Sequence, residues 1–95
     1  MKHYLILKFH DRASASEVAE RARAILGRLP EELAGARSVQ VVLNGLNRAE
    51  NHDLMIEMNF DDEGVVEKYL GHKRHAEFVA FAGPLVASKV TFDRR

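Results

Sequence analysis

The stretch YLGHKRH places Tyr69, His72 and His75 three residues apart, so they can share one side of a helix or of a helix-break-helix junction. His3 stands at the start of the first apolar segment. Histidine is the natural proton carrier in this set, because its reference pKa of about 6.5 lies near operating pH. A tyrosine hydroxyl is better suited to donate a hydrogen bond to a carbonyl or enolate oxygen. His75, Tyr69 and His3 could thus flank one small cavity as a base and its hydrogen-bonding partners. The competing reading is structural, with the histidines capping a helix end or covering a sheet edge.

Other chemistries find less in the chain. A zinc site would need a third protein ligand beside His72 and His75, and there is no cysteine and no HExxH pattern. GxGxxG, GxxxxGK[ST] and GxSxG are all absent, so neither a phosphate-cradling loop nor a nucleophile elbow is expected. His10 and His52 fall at strand ends, where solvated side chains are ordinary. No metal or other cofactor is expected.

The elements that must position these residues can be read from periodicity. Residues 2–10 alternate as a strand, with Leu5, Leu7 and Phe9 behind His3 on one face and Tyr4, Ile6 and Lys8 on the other. Ser14 and Glu17 form a capping-box pattern ahead of Val18, Ala22, Ile25, Leu26 and Leu29, a helix expected to end near Pro30. Residues 38–44 and 52–60 read as the second and third strands, with the polar loop 47–51 between them. Asp62 is placed to cap a helix carrying Val65, Val66, Tyr69 and Leu70. Gly71 interrupts that helix, and a further one runs over 73–82 to Gly83 and Pro84. A last strand, 87–93, is read with Val90 and Phe92 inward and Lys89, Thr91 and Asp93 outward. The order βαββαβ describes an α+β domain, a four-stranded antiparallel sheet with helices on one face.

Ninety-five residues suffice for one domain, residues 1–95, and not for two cores of ordinary size. At 46% hydrophobic and 29% charged residues, the chain falls outside the disordered class. Fourteen basic residues balance 14 acidic ones, which gives no broad attraction for nucleic acid or an anionic membrane. Neither a membrane-length apolar run nor a signal-peptide pattern is present, so a cytoplasmic protein is expected. The outer sheet face is expected to carry Tyr4, Ile6, Val42 and Met55 beside Lys8, Asp53 and Glu57. That mixture is too apolar for bare solvent and too polar for a monomer core. Self-association accommodates both, and a homodimer paired through this face is expected.

The segments KHYLILKF, HDLMIEMNFDDE, YLGHKRHAEF and LVASKVTFD together resemble the stress-responsive A/B barrel (Dabb) family along nearly the whole chain. YLGHKRHAEF is similar to the family's Tyr-x-x-His-x-x-His signature. The resemblance implies a ferredoxin-like monomer whose sheet packs on a second copy to form a dimeric α/β barrel. A plant branch of the family contains polyketide cyclases that close linear polyketides by aldol condensation. Carried over by position, their catalytic set implies His3, Tyr69 and His75 here, while His72 matches the first histidine of the signature. The cyclases' further histidine in the third strand falls at Leu54, so His72 and Leu54 are assigned to ligand contact. Lys73 and Arg74 replace the Pro-Ala of many members. The function expected is a dimeric barrel binding a small apolar or aromatic molecule between sheet and helices. The alternatives are a cyclase-like or lyase-like enzyme, and a cofactor-free monooxygenase-like or haem-binding dimer.

Overall fold

The computed structural model describes residues 1–95. Alternating apolar residues build β1 (Lys2–Phe9), which pairs antiparallel with β3 (Leu54–Phe60) on one side and with β4 (Val86–Arg94) on the other. β2 (Ala36–Leu43) completes the sheet beside β3, giving the order β2-β3-β1-β4. Four helices, α1 (Ala15–Leu26), α2 (Leu29–Glu32), α3 (Glu63–Leu70) and α4 (Lys73–Ala82), cover the face to which Leu7 and Phe9 point. The core lies between α1 and the central strands, where Val18, Ile25 and Leu26 meet Leu54, Ile56 and Met58. Ala19 and Ala22 are fully buried, and their small side chains let α1 approach the sheet closely. Each large aliphatic side chain so buried contributes about 1.5–3 kcal/mol.

Local expectations are revised at the first helix. Ser14 makes no capping hydrogen bond because it is itself helical (φ −70°, ψ −17°), inside a continuous entry from a 3-10 turn. Asp11 takes that role instead, accepting from the Ala13 N–H at 3.0 Å. Pro30 does not end the helix; α1 stops at Leu26, and Pro30 sits in the first turn of α2, where a missing N–H costs nothing. The chain then turns at Gly35 with φ +92°, and a Cβ there would lie 2.6 Å from Val65 Cγ2. Only glycine fits both demands. Asp62 caps α3 as expected, accepting from the Val65 N–H at 3.1 Å.

A larger revision concerns β4. Its register sets His3 opposite Asp93, Leu5 opposite Thr91 and Leu7 opposite Lys89. Lys89, Thr91 and Asp93 therefore face the helices, while Val90 and Phe92 face outward and are 45% and 61% exposed. Alternation says which residues share a face, but only pairing with β1 says which face is inner. Asp53 also leaves the outer face. It is 3% exposed, and its carboxylate accepts from the Phe9 N–H at 2.9 Å and meets Arg12 at 3.3 Å, which offsets the cost of burial. The outer face is consequently more apolar than expected, with Tyr4, Ile6, Val42, Met55, Val90 and Phe92 on the outward register. No helix is long and apolar enough to cross a membrane.

Candidate functional site

At the β1–β4 side of the sheet, the helices leave a hollow of about 410 Å³. Leu5, Leu7, Leu70, Phe78, Val79 and Val86 form much of its wall, and His3, Tyr69, His75, Lys89 and Thr91 supply polar groups. A space of this size and lining suits a small organic molecule.

Tyr69 reaches the hollow from the last turn of α3. Its ring lies 5.5 Å from that of Phe60 and 4.9 Å, edge-on, from that of His75, so packing fixes its direction. The residue is almost wholly buried, yet no buried side-chain polar atom of the chain lacks a partner. Its hydroxyl, which bonds to no protein group, therefore opens to the hollow. Burial pushes the phenol pKa far above the ordinary tyrosine range, which keeps it a neutral donor.

His75 enters from the first turn of α4. Burial lowers its pKa below the ordinary histidine value; the Leu70 carbonyl opposes this, while the charges of Lys89 and His3 act in the same direction as burial. The imidazole is accordingly neutral at pH 7, with one ring nitrogen able to accept a proton. His3, on β1, completes the group with its ring 5.9 Å from that of Tyr69. Its Nδ1 lies 2.6 Å from Asp93 Oδ1 across the β1–β4 pair. An ionised carboxylate can only accept, so Nδ1 carries the hydrogen and Nε2 is left for other partners.

His75, Tyr69 and His3 thus come together, whereas His72 and Leu54 do not join them. His72 is the N-cap of α4: its Nδ1 accepts from the Arg74 N–H at 3.0 Å, and its Nε2 is 4.0 Å from Glu32. Leu54 is buried in the core beside Leu7 of β1 and lies outside the hollow's wall. The basic pair Lys73-Arg74 is partly structural, since Arg74 forks onto Glu32 of α2 at 2.7 and 3.1 Å. Sequence reading missed Lys89, Thr91 and Asp93 as site residues because it turned β4 over. Their recurrence at every second position marks a shared face, but nothing within β4 itself says that this face is the inner one.

Among solved structures, the chain is similar to a dimeric protein of unknown function and ferredoxin-like fold from Bacteroides fragilis, with a TM-score of 0.83 and 22% identity over 99% of this chain and 93% of that one. A dabb family protein with a ferredoxin-like fold from Mesorhizobium loti matches with a TM-score of 0.75 and 17% identity, covering 99% and 93% of the two chains. A Bacteroides thetaiotaomicron protein with the provisional name antibiotic biosynthesis monooxygenase matches with a TM-score of 0.79 and 13% identity, covering 100% and 87%. Identities this low establish the shared fold alone. No curated protein sequence matches the chain. Residues 1–95 match the family model described as Stress responsive A/B Barrel Domain, and the protein belongs to that family.

Proposed function

We propose that the protein acts as a homodimer, paired through the outer face of its sheet, that binds a small apolar or aromatic molecule in the hollow between β1, β4 and α4. The observation that carries this reading is the convergence of the Tyr69 hydroxyl and the His75 imidazole on a space walled mainly by apolar side chains. Two polar groups set beside an apolar wall can orient a molecule whose body is buried against that wall. The apolar outward residues of the sheet and the dimeric Bacteroides fragilis neighbour support the pairing.

A second reading, acid–base catalysis of a cyclase or lyase type, is favoured by the neutral state of His75 and the donor state of Tyr69. His75 would remove a proton from a carbon next to a carbonyl, and Tyr69 would donate to the oxygen on which charge develops. A monooxygenase-like role rests on fold likeness alone.

A thermal-shift screen of aromatic and enolisable carbonyl compounds tests both readings, using the wild type beside His75→Gln and Tyr69→Phe. Compounds that stabilise the wild type and lose most of that effect in either variant support the site. Stabilisation that both variants keep in full would remove the site from the reading. Catalysis is separated from binding by His75→Gln, which retains a hydrogen-bonding group but no effective base: bound substrate without turnover argues for proton transfer.

A further inference from the structure

The wall of the hollow has an uneven charge inventory. Its ionisable members are His3, Tyr69, His75 and Lys89, and no aspartate or glutamate is among them. The carboxylate of Asp93, on the same register of β4, is committed to His3 Nδ1 at 2.6 Å. Lys89 projects from the inner register of β4, opposite Leu7, and takes part in none of the ion pairs of the chain. The other polar groups of that wall are imidazoles, a phenol and hydroxyls, so the Lys89 ammonium borders a lining without carboxylates.

Resting on the binding role of this hollow, we propose that its ligand is a small organic acid: an anionic head seated on Lys89, with an apolar or aromatic body lying along Leu5, Phe78, Val79 and Val86. A lysine on a flexible stem can keep its ammonium at a pocket mouth while its methylenes extend the apolar wall. A carboxylate placed there meets a full opposite charge with no carboxylate in the lining itself, and gains a charge-assisted hydrogen bond. A neutral molecule of equal shape would bury the same apolar surface but leave the ammonium without a counter-charge. A cationic ligand would meet Lys89 unopposed. Selection by charge is therefore a property of β4, while the depth of the hollow selects by size. Thr91, two residues along the same register, offers a hydroxyl to the second oxygen of such a head.

Two probes of one shape, 2-naphthoate and 2-naphthylmethanol, separate these contributions when titrated into the full-length protein and followed by amide NMR shifts. Wild type is expected to bind naphthoate about tenfold more tightly than the alcohol, the size of one hydrogen bond to a charged group. Lys89→Gln should abolish most of that preference, and Lys89→Glu should reverse it. Amide resonances of Lys89→Gln away from the hollow should overlay those of the wild type, which shows that the variant is folded. Raised salt should weaken naphthoate only. Equal affinity of the two probes for wild type overturns the acid assignment and leaves the hollow as a binding site. Shifts from neither probe at Tyr69, His75 or Phe78 would overturn the binding role itself, and the acid assignment with it.

Discussion

On β3, the inward residues Leu54, Ile56, Met58 and Phe60 are apolar, and the outward Met55, Glu57 and Asn59 are mostly polar. On β4 the pattern is inverted: the inward Lys89, Thr91 and Asp93 are polar, and the outward Val90 and Phe92 are apolar. The two strands belong to one sheet and differ in position. β3 is central and covered by the main core, so the monomer's own packing dictates its polarity. β4 is an edge strand whose inner side borders the hollow, and whose outer side lies on the face proposed to meet a second copy. Polarity along a strand thus reports what lies beyond it, and this need not be the core of the same chain.

The contrast can be tested first on the inner face. Ile56→Ala should cost about 2–5 kcal/mol, because the site is sealed and collapses poorly. Thr91→Ala, on the same face of β4, should stay within about 0.5 kcal/mol. Urea unfolding followed by circular dichroism reads both; a comparable loss in Thr91→Ala would make the β4 side part of the core after all.

On the outer face, Phe92→Glu and Met55→Glu should each weaken the proposed dimer at least about a hundredfold, since a charge without a partner would be buried between the copies. Arg23→Glu, an exposed position on α1, should change it less than about threefold. Sedimentation at several concentrations measures this, and an unchanged dissociation constant in both sheet variants removes the interface.

A subtler effect is expected from Asp93→Ala, which leaves His3 without its acceptor. Nitrogen chemical shifts of the imidazole should show the hydrogen held on Nδ1 in the wild type and shared between both nitrogens in the variant. The same tautomer mixture in both proteins would show that Asp93 does not orient the ring.

The smallest effect concerns pH. The pKa of His75 is depressed in the folded chain, so the unfolded chain binds more protons between the folded value and the ordinary value of 6.5. The stability this residue contributes is fully present above 6.5 and is lost as pH falls from there towards the folded value. His75→Gln should therefore lose less thermal stability than wild type between about pH 7 and pH 5. Parallel melting curves across that range would place His75 in solvent.

Much of the fold could be read from residues because it follows from local rules. The alternation of β1 and β3, the Asp62 cap and the breaks at Gly71 and Gly83 depend on neighbours a few positions away. Ser14 was misleading because a second capping residue, Asp11, precedes it by three positions, and only one of them can stand outside the helical conformation. The orientation of β4 was not readable, since both of its faces have a reason to be buried or bound, and the deciding fact is pairing with a strand more than 80 residues earlier. For the site, the resemblance pointed to His3, Tyr69 and His75, which the fold brings together. It could not distinguish His72, whose imidazole is occupied by the backbone of its own helix. Asp93 and Lys89 stayed hidden because their roles depend on that same long-range pairing.

Tyr69 belongs at once to the packed interior, against Phe60, and to the wall of the hollow, against His75. In so small a domain, that double membership shapes how the sequence can diverge. A change of ligand preference made at Tyr69 or Phe78 also loosens the interior, and few natural domains hold enough spare stability to tolerate it. Val79, Lys89 and Thr91 are under no such constraint, being exposed at the rim. Descendants of this chain that acquire new ligands should therefore differ first at those rim positions, with the tyrosine retained as a fixed point around which specificity drifts.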